Sequence, residues 1–388
     1  MSKIDSIEAL AQEVTASTIA VLPKRCTYIR NWNSSCKACM TACKHDAISR
    51  NIGRLVIDSE KCVSCGACTC ACPMSAMLTT APDQTEIVRE AREAAQNYGG
   101  MACFTCEKEA EELDIDPSCV VVLPCLNYLD EYLICGLFAL GIERVALLTR
   151  SCEGCDMNGD EPYFPTMVKS AKSLVKQWGG KGKVKIFHEI PESLCNSGAK
   201  NRHVTRGNRR EAFTQAGGSA MGYIVQAVDE AIDPSKAKPS NGRAEQVIVK
   251  SDDVFPASTY RGPRVLGMLD RIGERPKDAT IESRFWATVD IDPTKCKRCG
   301  CCASMCATRA LTYVQDLPAQ PTRRERREAP GSLIFQPSLC MACGLCADSC
   351  FKKAIVIGNR VPVDYLDDDT AIYLFKDEVQ NNNNRFGF

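Results

Sequence analysis

Two hydrophobic rhythms alternate along this chain. Short runs of strand length, such as 55–58 (Leu-Val-Ile-Asp), 289–292 (Val-Asp-Ile-Asp) and 333–336 (Leu-Ile-Phe-Gln), lead into cysteine-rich loops. After the last cysteine of each loop, alanine stands at plus four and an apolar residue at plus five: Ala47-Ile48, Ala76-Met77, Ala310-Leu311 and Ala354-Ile355. The predicted unit is strand, cysteine loop, one helical turn, strand. One unit cannot bury a core alone, so two must pack face to face.

Between the repeats the rhythm changes. The pattern predicts a fully apolar strand at 120–123, a helix over 129–140, a strand at 144–149, a helix over 167–178 closed by Gly179-Gly180, and a strand at 184–187. Strand–helix–strand order at this spacing implies a parallel sheet. Asp5 and Glu8 stand at capping-box spacing in a short helix over 1–22. Helices are also expected at 221–232 and 264–273, with an exposed, flexible piece at 234–242. The most apolar stretch, 119–141, is broken by Pro124, Asn127, Asp130 and Glu131 and is not expected to span a membrane.

The expected class is α+β: two similar cysteine-rich modules flanking a small α/β domain with a parallel, Rossmann-like sheet. The expected boundaries are an N-terminal helix (1–23), a first module (24–82), the α/β domain (98–195), a basic linker region (196–283), a second module (284–362) and a C-terminal tail (363–388). The linker leans basic through Arg206, Arg209, Arg210, Lys236 and Lys238. The arginine-rich insert 323–327 reads as a solvated loop or as a dock for an acidic partner.

Composition narrows the chemistry. In 388 residues, 48 lysines and arginines balance 48 aspartates and glutamates. That balance argues against nucleic acid or a membrane surface as the main partner. The N-terminus lacks a charged-then-apolar export layout, so the expected compartment is the cytoplasm. The 26 cysteines could form disulfides, but such frameworks belong to short secreted chains. A structural zinc explains a single C-x2-C pair but not a repeated longer run.

Sixteen of the 26 cysteines fall into four copies of one pattern. Three are complete: Cys62-x2-Cys65-x2-Cys68-x3-Cys72-Pro73, Cys296-x2-Cys299-x2-Cys302-x3-Cys306, and Cys340-x2-Cys343-x2-Cys346-x3-Cys350. The fourth keeps Cys36-x2-Cys39-x3-Cys43 and moves its leading cysteine back to Cys26. This spacing resembles the bacterial two-cluster ferredoxin, twice over, in which each run holds a [4Fe–4S] cube and its last cysteine crosses to the neighbour. The resemblance implies four cubes. Cys62, Cys65, Cys68 and Cys43 would hold one; Cys296, Cys299, Cys302 and Cys350 another; Cys340, Cys343, Cys346 and Cys306 a third. The fourth would use Cys36, Cys39 and Cys72, with Cys26 either a ligand or a buried structural thiol. Asn33 stands where the complete runs carry their first cysteine, and Lys37 where they carry Gly66, Gly300 and Gly344. Those glycines let backbone N–H groups turn toward cluster sulfurs. Cys70 and Cys301 lie inside the runs but off the pattern and read as buried neighbours.

The α/β domain has its own set: Cys103-x2-Cys106, Cys125 after the first predicted strand, and Cys152-x2-Cys155 after the second. Carboxyl ends of parallel strands are where open sheets place ligands, so Cys125 and Cys152 should be neighbours, with 103–106 able to fold over them. Together with Gly141 and Ser151, this arrangement over about residues 100–180 resembles the delta, iron–sulfur subunit of methyl-viologen-reducing hydrogenase. That resemblance implies a further [2Fe–2S] cluster and electron passage between a hydrogenase and heterodisulfide reductase. The chain departs from the family at Phe104, one place early, and at Gly154-Cys155-Asp156. Five cysteines thus compete for four places, and structural zinc or a redox dithiol are the alternatives. Cys119, Cys135 and Cys195 have no partner spacing.

No strand followed by G-x-G-x-x-G is visible; the glycines at 217–222 have the wrong spacing. His45, His188 and His203 are isolated. Without a flavin, nicotinamide or active-site metal, the chain is not expected to complete a substrate reaction alone. The expected function is an electron-transfer subunit of an anaerobic oxidoreductase, linking a hydrogenase, formate dehydrogenase or heterodisulfide-reductase-like partner to an acceptor. Two other readings stand beside it: an enzyme whose middle domain does thiol or disulfide chemistry fed by the flanking clusters, and a zinc-stabilised scaffold.

Overall fold

A computed structural model of the chain describes residues 19–79, 82, 84–150, 152–158, 161–196, 260–315, 317, 322, 324–325, 329, 331–367 and 370–376. Strand β1 (Ile19–Val21) pairs antiparallel with β4 (Met77–Thr79), so the first cysteine segment is closed by its own two ends. Between them β2 (Ile48–Asn51) and β3 (Arg54–Ile57) form an antiparallel hairpin. The cysteine loops feed helices of one turn: α1 (Thr27–Arg30), α2 (Ala38–Ala42) and α3 (Ala67–Ala71). Their small residues let α2 and α3 lie against each other.

Next, α4 (Gln84–Asn97) leads into β5 (Met101–Cys106), and α5 (Glu107–Leu113) into β6 (Val120–Leu123). Then come α6 (Glu131–Ala139), β7 (Arg144–Leu148), α7 (Phe164–Gln177) and β8 (Lys183–Phe187). The four strands make one parallel sheet in the order β6-β5-β7-β8. The strand missed by hydrophobic pattern is one of its two inner strands, β5. Its Met-Ala-Cys-Phe-Thr-Cys sequence lacks β-branched residues except Thr105, yet Ala102, Cys103, Phe104 and Thr105 are all buried. Tertiary burial overrides weak local preference here.

After the undescribed stretch 197–259, α8 (Arg261–Ile272) packs across α6. Strand β9 (Thr280–Glu282) follows. The second cysteine segment then repeats the plan of the first, with β10 (Thr288–Ile291), α9 (Cys301–Met305), β11 (Leu311–Gln315), β12 (Gly331–Phe335), α10 (Leu345–Ser349) and β13 (Ile355–Gly358). Again the first strand pairs with the last, β10 with β13, the inner strands β11 and β12 pair antiparallel, and the two one-turn helices pack together. Strands β14 (Arg360–Pro362) and β15 (Ile372–Lys376) add pairs to β9 and β12.

The backbone repeats more faithfully than the side chains. Asp46, Ser75, Arg309 and Lys353 each stand three residues after the last cysteine of a loop, with φ of 48°, 48°, 58° and 49°. Ser64, Arg298 and Ala342 each precede the second cysteine of a complete run, with φ of 59°, 52° and 48°. Left-handed backbone is uncommon for residues with a Cβ. Its recurrence at fixed stations therefore marks one shared wrap in all four loops. The run ending at Cys43 has the wrap only in its second half; Lys37, at φ −124°, takes no left-handed turn.

Several expected boundaries move. Residues 19–21 form a strand of the first segment, not the end of an N-terminal helix. Helix α4, before the expected start of the middle domain at 98, packs on β5. Of the expected linker 196–283, residues 260–283 are folded into the core, and of the expected tail, 372–376 pair with β12. The expected helix at 264–273 is α8. The expected helices at 1–22 and 221–232, the flexible piece at 234–242, the basic residues Arg206, Arg209, Arg210, Lys236 and Lys238, and His203 lie outside the described residues, as does most of the 323–327 arginine cluster.

One hydrophobic core joins these parts. It runs from Ile19 and Met77 of the first segment through α4, α6 and one face of the sheet to α8, Trp286 and Met341. Two buried ion pairs cross it. Asp130, the N-cap of α6, lies 3.1 Å from Arg261, and Glu131 takes two guanidinium hydrogen bonds from Arg284 at 2.6 and 2.8 Å. Arg261 also donates to the carbonyls of Thr69 and Cys70 at 2.8 and 3.2 Å, and Arg284 to that of Ala71 at 3.4 Å. Cations thus satisfy the orphan carbonyls at the end of α3, where the helix dipole favours them. The carboxylates beside them raise Arg284 further above the usual arginine range, against its burial.

Replacing Arg284 with alanine strands the fully buried Glu131 carboxylate. The expected loss is about 3–5 kcal/mol in urea unfolding of the metal-loaded chain. Arg89→Ala, which breaks the exposed pair with Glu93, should cost no more than about 0.5 kcal/mol.

Candidate metal centres

Two complete loops turn their cysteines inward around a cavity, and the fourth thiol arrives from the facing loop. Cys62, Cys65 and Cys68 line one cavity with Cys43, walled by Ile19, Ile48, Ile57 and Val63. Cys296, Cys299 and Cys302 line another with Cys350. Cys340, Cys343 and Cys346 are all neighbours of Cys306; burial raises the three, and the nearby Cys306 adds to the rise. The structure therefore brings together the three crossed sets that the spacing implied.

The irregular loop makes a fourth set. Cys26, Cys36, Cys39 and Cys72 line a cavity with Leu55, Met74 and Met77. Cys26 is the N-cap of α1 and is buried; burial raises its pKa, and the nearby backbone N–H groups of Ile29 and Tyr28 work against that rise. Asn33 is exposed and uses its N–H on Asn31 Oδ1. Arg50 braces the loop by donating to the Cys36 carbonyl and stacking 4.4 Å over the Tyr28 ring.

The sulfurs are met by backbone donors throughout. Ala76 N–H lies 3.2 Å from Cys72 Sγ, Ala354 N–H 3.3 Å from Cys350 Sγ, and Ala342 and Arg298 N–H 3.4 Å from Cys340 and Cys296 Sγ. Gly66 and Gly300, at φ +80° and +68°, open α3 and α9. A Cβ on either would sit 2.6 Å from the ring of Tyr128 or Tyr313, so glycine is required by both backbone and packing. Gly344 has the same turn, at φ +75°, with open space beside it.

In the middle domain a different sorting occurs. Side chains alternate along β5, so Cys103 and Cys106, three residues apart, leave on opposite faces. Cys103 joins Ile115, Val120 and Ala146 in a small separate core, near Cys119. It does not fold over the other cysteines as expected, because 103–106 is sheet and not loop. Cys106, at the carboxyl end of β5, lies near Cys152, Cys155 and Cys125. Four of the five competing cysteines therefore gather at the carboxyl edge of the sheet. Cys125 is held by its environment: Asn158 Nδ2 donates to its sulfur at 3.3 Å and Asn127 N–H at 3.5 Å. Thr149 Oγ1 lies 3.7 Å from Cys152 Sγ.

Sequence reasoning missed Asn127, which it treated only as a break in an apolar run. Its side chain bonds Asn158 and accepts from the N–H groups of Tyr163 and Phe164 at 2.8 and 2.9 Å. Its carbonyl accepts from the Cys70 thiol at 2.9 Å, and its side chain reaches Cys65. Asn127 thus joins the middle-domain thiols to the first segment. Cys70, Cys301, Cys135, Cys119 and Cys195 fall outside the four-thiol sets; Cys135 is wholly buried in α6 and Cys301 lines the Cys299 cavity. His45 lines the Cys43 cavity with its Nε2 3.3 Å from the Met157 carbonyl, and His188 Nδ1 lies 3.1 Å from that of Thr149.

The donor set fits iron–sulfur clusters. Burial, with the charge of neighbouring thiols added to it, pushes Cys39, Cys125, Cys302 and Cys340 up to about 12. Thiolates can form in such places only beside a cation, and soft thiolate ligands are those that cubane iron takes. Among the described residues no three Cys, His, Asp or Glu side chains converge on the position of a single metal ion. The thiols stand around cavities instead, as a multi-atom cluster requires and a lone zinc does not.

Comparison with known proteins agrees in part. A family profile described as a 4Fe-4S dicluster domain matches residues 54–124. It supports at least two [4Fe–4S] clusters and points to iron–sulfur electron transfer. The matched span holds the Cys62–Cys72 run and continues through β6, whereas the structure pairs that run with the loop before it. No solved structure matches the chain. No described helix is long and apolar enough to cross a membrane.

Two outcomes are expected from these placements. Cys26→Ser should lower the iron content of the anaerobically reconstituted chain by about one to four atoms, from a three-iron remnant to loss of the cube, while Cys103→Ser leaves it unchanged; iron assay decides. In the metal-free chain, thiols raised above their unfolded value of 9.0 favour folding below that pH, and the contribution is lost as pH climbs toward 12. The urea midpoint of the metal-free chain should therefore fall as pH is raised above about 9.

Proposed function

We propose that this chain is an iron–sulfur electron-transfer subunit whose five thiol sets form a single file between a catalytic partner and an acceptor. A cluster bound in such a set supplies one-electron transfer at a potential tuned by its surroundings. In this reading four sets hold [4Fe–4S] clusters: Cys26/36/39/72, Cys43/62/65/68, Cys296/299/302/350 and Cys306/340/343/346. The two cysteine segments are then two ferredoxin-like modules. The group Cys106/125/152/155 holds a further cluster, a [2Fe–2S] by its resemblance to the hydrogenase delta subunit.

The observation that carries the reading is the order of the sets. Cys302 and Cys346 pack against one small core in the second segment, Cys125 is a near neighbour of Cys65, Cys68 of Cys39, and Cys343 of Cys36. The last junction is made by direct docking of the two segments. Ser35, beside Cys36, donates its N–H and hydroxyl to Asp348 at 2.7 and 3.0 Å. Asn31 bonds Ser349 at 2.8 Å, and Arg30 the carbonyl of Met305 at 3.2 Å.

The partner in this proposal is a hydrogenase, formate dehydrogenase or heterodisulfide-reductase-like enzyme, in the cytoplasm of an anaerobe. The rival thiol-chemistry reading needs an activated, low-pKa cysteine. Burial raises Cys106, Cys125 and Cys152 instead.

The test is a redox titration of the anaerobically loaded full chain with reduced methyl viologen. Uptake of about five electrons per chain is expected, one for each set. A chain that is fully loaded with iron yet takes up no electrons contradicts the proposal.

A further inference from the structure

One end of the file reaches the surface. Of the 26 cysteines, Cys299 is the only exposed one. Its cavity, shared with Cys296, Cys302 and Cys350, is rimmed by Lys297, Arg298 and Lys352. Lys353 follows directly, and Lys295 precedes. Residues 290–298 and 351–353 together carry five cations and two carboxylates. One of those carboxylates, Asp292, is held by Lys295 at 2.8 Å. Beside Cys350, Phe351 is 70% exposed, with the Lys352 ammonium 5.1 Å above its ring. Val356, on the neighbouring strand β13, is 60% exposed.

We propose that this face docks an acidic one-electron carrier protein. The inference rests on the electron-transfer reading and names the kind of partner that its terminal set receives. A chain with no net charge gains no general attraction for an acidic protein, so steering must come from a local field. The cationic rim supplies that field, and complementary charge raises the rate of encounter more than it raises affinity. Phe351 and Val356 give the small apolar centre that a transient redox contact needs; such contacts bury little area and are readily released. The exposed Cys299 brings the thiol set itself to the contact.

Stopped-flow reduction of the iron-loaded full chain tests the proposal, with a reduced acidic two-cluster ferredoxin and the methyl viologen radical as alternative donors. The triple variant K297E/K352E/K353E should lower the second-order rate constant with ferredoxin by about tenfold or more at low ionic strength and flatten its dependence on salt. Reduction by viologen, whose radical is a cation, should not slow, and iron content should stay as in the parent chain. The control K181E/K183E/K185E makes the same charge change on and beside β8, away from this face, and should leave the ferredoxin rate unchanged. Equal ferredoxin rates and salt slopes in the parent and the first variant would overturn the proposal while leaving electron transfer intact. A loaded chain that neither donor reduces would sink both. A dimer in light scattering that the first variant dissolves would assign the face to a second copy of the chain and also overturn it.

Discussion

A buried thiol cannot ionise without a cation beside it, and this chain buries its thiols in sets of four. That constraint organises the molecule. Helices α3 and α9 begin where a loop has brought three cysteines round a cavity, and the fourth cysteine comes from the facing loop. The helices α2 and α3, or α9 and α10, could not otherwise lie so close around apolar voids, because a cavity lined by carbon and neutral sulfur forfeits dispersion contacts. The backbone anticipates the cation. Left-handed turns at equivalent stations aim N–H groups at the sulfurs, where they offset negative charge.

The same logic explains how the parts hold together. The end of α3 exposes carbonyls toward the middle domain, and Arg261 and Arg284 come from far along the chain to meet them. Their charges are balanced by Asp130 and Glu131 at the start of α6, where the helix dipole favours anions. One polar cluster thus fastens the first cysteine segment, the parallel sheet and the segment after α8. Asn127 makes the second fastening, between Cys125 and Cys70, and Ser35 with Asp348 the third, between the two cysteine segments. All three lie next to thiol sets, so packing and the spacing of the sets are fixed by the same contacts.

Much of this was legible in the chain. Cysteine spacing is a local signal, and it placed the three complete crossed sets. Hydrophobic runs located β6, β7, β8, α6 and α7. What spacing could not show was Cys26, seven residues from its expected station, since only the bend through α1 and the bracing by Arg50 bring it to Cys36 and Cys39. Nor could it exclude Cys103. The Cys103–Cys106 pair reads as a metal loop until β5 is seen as a strand, and a strand separates two residues three apart. The arginine clamp left no sequence signal, because Glu131 and Arg284 are 153 residues apart. The docking of the two cysteine segments depends on single side chains, Asn31, Ser35 and Asp348, that no periodicity marks.

The central claim is that these thiols grip clusters of iron and inorganic sulfide, in crossed sets. It is tested most directly by metal and acid-labile sulfide analysis of the anaerobically isolated full chain, combined with Mössbauer spectra. The account predicts about sixteen irons in cubane form, with sulfide in equal number, and a smaller additional signal from the middle domain. Zinc in place of iron, or iron without labile sulfide, would contradict it.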